Sequence, residues 1–226
     1  LISRIKDLLG QGTMGRPLLF MTYIGHGGPK WSDWFFKEER GGGVIYDLAV
    51  YGVADSIYLF GAPNEVNVAA TISFKRRLIL RPEEHTMTIA PEYYGRGIPM
   101  YYQGMEPSVP VEVTAYDNVI LTLTYDGLLC SVFANYVTFT KHGIPPLQLF
   151  GSKGSIVVPD MRKGEIKLIR DGKEEIIRTK MPRKYYEWSV DHLIECIEKD
   201  LTPIPSVKWG EAITEVLIKA HEIAHK

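Results

Sequence analysis

The stretch from Val111 to Phe139 constrains the fold more than any other. Three apolar runs, 111–116, 119–125 and 128–139, are separated by Asp117-Asn118 and Asp126-Gly127. Asp-Gly between alternating runs is a strong hairpin signal, because both positions accept the positive φ of a tight turn. Strands joined by two-residue turns pair antiparallel with their neighbours. The pattern continues downstream. Gln148–Phe150 and Ser155–Val158 flank a Gly-Ser-Lys-Gly turn, and Glu165–Arg170 and Glu174–Arg178 flank Asp171-Gly172. Upstream, PLLFMTYI at 17–24 reads as a strand, and 65–74 alternates with Val66, Val68, Ala70 and Ile72 on one face. Roughly seven to nine mainly antiparallel strands result. Helical patterns occupy 2–10, about 44–60, 185–200 and 207–225, the last two separated by Pro203 and Pro205. The expected fold is α+β, with a large mainly antiparallel sheet and helices packed on one face. Residues 1–226 form one domain, at the upper end of the size of a single core.

The strand around 128–137 is apolar on both faces. Leu128, Cys130, Val132, Ala134 and Tyr136 line one, and Leu129, Phe133 and Val137 the other. A one-sided antiparallel sheet alternates more cleanly, so both faces are expected to be covered. Helices account for one. A long excursion from 75 to 107 is one candidate for the other. Its Arg-Pro, Ala-Pro, Ile-Pro and Glu-Pro pairs disfavour helix, and it offers one strand at 77–81.

Charge and cysteine content exclude several classes. Twenty-six basic and 27 acidic residues leave a formal charge of −1, which argues against nucleic acid and anionic membrane as partners. Cys130 and Cys196 are too few for a disulfide framework and read as buried free thiols. No apolar run approaches a membrane span and no signal-peptide pattern opens the chain. A cytoplasmic location is expected.

The chemistry concentrates at the glycine run Gly41-Gly42-Gly43 and the segment after it. Asp47 and Tyr51 are four residues apart and share a face on a helix, just past a backbone that a ligand could approach closely. Both groups can orient or exchange a proton with a hydroxyl. The plainer alternative is an Asp near a helix N-terminus and a Tyr in the core. The preceding loop carries His26, Lys30, Trp31, Trp34, Lys37 and Arg40. Trp31 and Trp34 could form an aromatic platform for a sugar, with Lys30, Lys37 or Arg40 as donors, or could simply pack. Lys75, Arg76, Arg77 and Arg81 read as a solvated strand edge, with a phosphate-facing role as the alternative. His221 and His225 have metal-binding spacing on the last helix, but no acid or third ligand accompanies them in sequence. No metal site is expected. Gly95-Arg96-Gly97 lacks a third glycine and a strand–helix context, so it reads as a loop and not as a nucleotide-binding turn.

The segment GGGVIYDLAVYGVADSIYLFG, Gly41 to Gly61, resembles the opening of the C-terminal domain of the glucose–fructose oxidoreductase / inositol dehydrogenase (Gfo/Idh/MocA) family. That pattern has three glycines, an Asp, a small residue, and a His or Tyr four residues after the Asp. Asp47, Ala49 and Tyr51 take those places, and Phe60-Gly61 closes the helix. The Tyr version is similar to the glucose–fructose oxidoreductase and dihydrodiol dehydrogenase branch. Ala54 departs from the polar residue usual there, and Asp55 comes one residue later. Further likenesses are IKDLLGQGTMGR at 5–16, His26-Gly27-Gly28-Pro29 with Trp34-Phe35, the Gly151–Ser155 turn, and the closing helices from His192 to His225.

The resemblance implies a parent NAD(P)-dependent oxidoreductase acting on a sugar, polyol or related hydroxyl compound. Tyr51 would assist proton transfer and Asp47 would orient substrate. The family's N-terminal nucleotide-binding domain, roughly 120 residues, has no counterpart here. The chain is therefore expected to be a fragment, binding no cofactor and inactive alone. The resemblance also implies a homo-oligomer formed through the open sheet face. Two other classes stay open: a non-catalytic assembly or ligand-binding module, and an NAD-dependent glycoside hydrolase on the same scaffold.

Overall fold

The structure, a computed structural model, describes residues 1–80, 108–140, 142–180 and 185–226, with the backbone alone over 185–188. Chain order begins α1 (Ile2–Gly10), β1 (Pro17–Gly25), a loop with short 3₁₀ turns at Asp33–Phe36 and Glu38–Arg40, a π-turn (Ile45–Ala49), α2 (Val50–Phe60), β2 (Glu65–Thr71) and β3 (Arg76–Ile79). It continues β4 (Val109–Glu112), β5 (Asn118–Tyr125), β6 (Leu128–Asn135), β7 (Leu147–Gly151), β8 (Ser155–Val158), β9 (Glu165–Arg170), β10 (Lys173–Arg178), α3 (Tyr185–Glu198) and α4 (Val207–Ala224).

Eight strands form one sheet in the order β10-β9-β8-β7-β1-β6-β5-β2. All neighbours are antiparallel except β1 and β6, which run parallel with Phe20 opposite Cys130 and Thr22 opposite Val132. The fold is thus α+β, as expected. The Asp126-Gly127 and Asp171-Gly172 hairpins form where the turn chemistry puts them, with Tyr125 opposite Leu128 and Arg170 opposite Lys173.

The first run of the meander behaves differently. β4 leaves the main sheet and pairs with β3 in a separate two-stranded sheet. The connection bends because its backbone is claimed elsewhere. Val113 N–H donates to the Lys75 carbonyl, and Thr114 and Ala115 N–H both donate to the Phe36 carbonyl. Of the long excursion expected over 75–107, residues 81–107 lie outside the described residues.

One sheet face is the core. Phe20, Leu121, Leu123, Cys130, Val132, Leu147, Leu149, Ile156 and Ile166 are fully buried on it. α2 lies on this face, against β1 and β6, while α4 packs on α2 and β2. Gly52 allows the close approach, since a Cβ there would collide with Thr22 Oγ1 and Val132. Burial of side chains this size contributes roughly 1.5–3 kcal/mol each. The opposite face is open among the described residues. It exposes Ile120, Leu129, Phe150 and Ile176, with Leu129 49% accessible. Among the described residues, helices therefore cover one side of the strand that is apolar on both faces.

Candidate functional site

The glycine run enters the site from a tight loop. Gly42 is glycine because a Cβ would collide with the Trp34 carbonyl oxygen and stand 2.8 Å from that of Lys37. The close approach expected for a ligand is, at Gly42, made by the chain's own loop. Hydrogen bonds from Gly42 N–H to Lys37 O and from Gly43 N–H to Phe35 O fasten the two together.

Helix formation then starts irregularly. Ile45–Ala49 is a π-turn that passes into α2 at Val50. Such turns place one residue more per bonded ring than an α-helix and recur at functional sites. Asp47 sits within it and Tyr51 lies just beyond. Tyr51 is 59% accessible, so it is not the core aromatic of the plainer reading.

Tyr136, a residue that the sequence marks only as part of an apolar strand face, organises the cluster. Its ring is fully buried, and its hydroxyl donates to Asp47 Oδ2 at 2.5 Å. Burial raises the Tyr136 phenol far above its usual range, and the Asp47 carboxylate pushes it further in the same direction, with Tyr51 adding to the effect. Tyr136 is therefore a fixed hydrogen-bond donor that holds Asp47 as an acceptor.

His26 stacks at a tilt against the same ring, with centroids 5.3 Å apart. Its Nδ1 accepts from Gly28 N–H at 3.0 Å. That bond assigns the neutral tautomer with the proton on Nε2. Burial lowers the His26 imidazole below its ordinary value, partly offset by Asp47. The cluster thus combines a neutral imidazole donor, a carboxylate acceptor and an exposed phenol able to do either. Such a mixture suits a ligand carrying several hydroxyls.

Tyr136 is braced from behind. Its carbonyl accepts from Arg77 Nη2 at 2.9 Å and its N–H donates to the Asp117 carbonyl at 2.7 Å. Arg77 also donates to Asp117 Oδ2 at 3.2 Å, and both side chains are nearly inaccessible, at 9% and 1%. Ser73 and Phe74 N–H complete the Asp117 carboxylate. The Arg77 guanidinium lies 4.4 Å from the Phe74 ring centre. Arg77 is therefore neither a solvated edge cation nor phosphate-facing. Arg81, expected in the same cluster, lies outside the described residues.

The remaining sequence candidates have other partners. Trp31 and Trp34 pack edge-on against Phe35 at 5.1 and 4.9 Å. The Trp34 indole donates to the Arg40 carbonyl at 2.6 Å, and Arg40 pairs with Asp33 at 2.6 Å. Lys37 links the two 3₁₀ turns through its backbone. Lys30 borders an open hollow of about 310 Å³ shared with Gly27, Pro29, Phe36, Arg77, Leu78 and Phe139. The structure thus gathers His26, Asp47 and Tyr51 around Tyr136, and ties the tryptophans and Arg40 into the loop through Phe35, Asp33 and the Arg40 carbonyl. Asp55 lies one turn beyond Tyr51 on α2. Burial pushes its carboxyl up to about 7.

Comparisons with known proteins agree with this architecture. Residues 2–157 match the family model described as the GFO/IDH/MocA C-terminal domain. Similar solved structures include an NAD binding oxidoreductase from Klebsiella pneumoniae, with TM-score 0.72 and 17% identity over 99% of this chain and 63% of that one. An aldose-aldose oxidoreductase from Caulobacter crescentus, complexed with glycerol, has TM-score 0.70 and 18% identity over 99% of this chain and 58% of that one. A levoglucosan dehydrogenase complexed with NADH and levoglucosan has TM-score 0.70 and 17% identity over 97% of this chain and 60% of that one. The chain thus spans about three fifths of the length of these structures, and at such identity they establish the fold alone. A search of curated proteins finds no significant match.

Proposed function

The chain belongs to the GFO/IDH/MocA family through its C-terminal domain, and from that premise we propose that it is the substrate-binding and oligomerisation domain of an NAD(P)-dependent oxidoreductase acting on a sugar, polyol or related hydroxyl compound. The observation that carries this reading is the contact of Asp47 with Tyr136, beside His26 and the exposed Tyr51.

The nicotinamide cofactor belongs to a part of the protein outside this chain. Gly95–Gly97, which reads in sequence as a loop, lies outside the described residues. When bound, the cofactor exchanges a hydride with a substrate carbon. The residues here act on the oxygen of that carbon and on its neighbouring hydroxyls. Asp47, held by Tyr136, accepts a hydrogen bond from a substrate hydroxyl, and His26 Nε2–H donates one. Tyr51 moves the carbinol proton. Tyr51 works as a hydrogen-bonded acid or relay.

The open sheet face supports a homo-oligomer formed through it. Ile120, Leu129 and Phe150 stand exposed on it, and large apolar side chains left open on a sheet face are of the kind that marks an interface.

The test is Tyr51→Phe in the full-length enzyme. Phe keeps the ring and removes the hydroxyl. If Tyr51 handles the proton, kcat and kcat/KM fall together, by about 10²–10⁴-fold. A kcat within about threefold of wild type, well outside that range, removes Tyr51 from the mechanism. Asp47→Asn should raise KM if Asp47 orients the substrate. A change in melting temperature alone would mean that it only supports the π-turn.

A further inference from the structure

His221, on α4, and His225, just past its end, are four residues apart, and the fold supplies a third group that lies far from them in sequence. Glu38 stands at the start of a 3₁₀ turn in the loop ahead of the glycine run. Its Oε1 is 2.8 Å from His225 Nε2 and 3.7 Å from His221 Nε2. One ligand atom from each residue lies within 4.8 Å of the others. A tetrahedral zinc ion with bonds of about 2.1 Å sets its ligand atoms roughly 3.4 Å apart. The three side chains therefore need to move by less than about 1.5 Å to close on one ion of that size.

The surroundings hold this arrangement in place. A histidine just past the last turn of a helix would normally fray with the helix end. Here the Tyr116 hydroxyl donates to the Ala224 carbonyl at 2.6 Å and fastens that end. Tyr116 lies 5.2 Å from the His225 ring and Tyr46 lies 5.4 Å from the His221 ring, forming aromatic walls on two sides. Glu222 adds negative charge close enough to be felt at Tyr46. Two imidazoles i, i+4 on a helix with a carboxylate from another segment suit zinc, whereas calcium and magnesium prefer all-oxygen ligand sets. Three protein ligands leave a fourth position, and the exposure of His225 directs it to solvent.

We propose that Glu38, His221 and His225 form a binding site for Zn²⁺ or a similar divalent transition-metal ion, which ties the end of the last helix to the turn ahead of the glycine run. The ion would act on stability, through a cross-link between residues near opposite ends of the sequence. This inference does not depend on the oxidoreductase reading.

The experiment strips the full-length protein with a chelator, titrates it with ZnCl₂ by calorimetry, and counts zinc after gel filtration by mass spectrometry. The expected result is one Zn²⁺ per chain at roughly micromolar Kd. At a hundredfold excess over Kd the melting temperature should rise by roughly 5–10 °C. Glu38→Gln and His225→Gln should each abolish that ion and that shift, while His142→Gln, on an exposed loop away from the site, should retain both. The His225 side chain is 36% accessible, so its replacement leaves the core intact if Glu38→Gln fails to fold. Absence of bound zinc would overturn the proposal and leave a simple histidine–glutamate pair. Unchanged stoichiometry in both variants would also overturn it, by placing the ion elsewhere.

Discussion

Replacing Arg77 by Met tests the brace behind the site. The substitution keeps an unbranched apolar stem against Phe74 and removes the guanidinium. Three hydrogen bonds disappear: to Asp117 Oδ2, to the Tyr136 carbonyl and to the Gly27 carbonyl. The Asp117 carboxylate, 1% accessible, then keeps two backbone donors and loses its counter-charge. Breaking a buried pair by removing one partner costs about 3–5 kcal/mol. One gain offsets part of that loss. Arg77 Nε–H is buried and meets no acceptor among the described residues, and its removal returns about 1 kcal/mol. The net expectation is a destabilisation of about 2–4 kcal/mol. At roughly 2–4 °C per kcal/mol for a chain this long, the melting temperature falls by roughly 5–15 °C. Urea unfolding of Arg77→Met, Asp117→Asn and the double variant measures the loss and the coupling between the two groups, expected at about 0.5–3 kcal/mol. A loss below about 1 kcal/mol, the range of an exposed ion pair, would mean that water reaches this pair and that it does not brace Tyr136.

Other outcomes follow from the same contacts. Tyr136→Phe removes a donor to a charged acceptor, worth about 1.5–3 kcal/mol, and should raise KM more than it lowers kcat in steady-state assays; an unchanged KM would separate Tyr136 from substrate binding. Asp55 binds its proton more tightly when folded, because burial lifts its carboxyl to about 7. Its contribution therefore favours folding in acid and is lost as pH rises from about 4 to 7. Asp55→Asn should raise the melting temperature at pH 8 and leave it nearly unchanged at pH 4, and equal shifts at both values would contradict the burial argument. Leu129→Glu places a charge on the open sheet face and should convert an oligomer to monomers in light scattering, whereas an unchanged oligomer would move the interface off that face.

Much of the fold is readable from local pattern. Asp126-Gly127 and Asp171-Gly172 specify hairpins because turn type depends on two adjacent residues. Alternation specifies which side of each strand is buried because the side-chain period is two. The parallel pairing of β1 with β6 and the departure of β4 to join β3 are not local properties. They depend on which distant backbone groups satisfy one another.

The candidate site divides along the same line. Asp47 and Tyr51 stand out because four-residue spacing carries meaning on any helical segment, and the glycines ahead of them mark a crowded backbone. Tyr136 did not stand out, because its partner Asp47 lies 89 residues away. Within its own segment it reads as one more apolar strand residue. Arg77 looked like a surface cation because composition cannot show that Asp117, 40 residues on, accepts its charge in the core. Glu38 and the C-terminal histidines share nothing in sequence. By itself the sequence determined the turns, the strand faces and the segment that carries the chemistry, since these follow from neighbouring residues. Only the tertiary structure decided which buried polar groups meet. A buried carboxylate or guanidinium must find its partner wherever the packed chain brings one, and that distance in space has no fixed relation to distance along the chain.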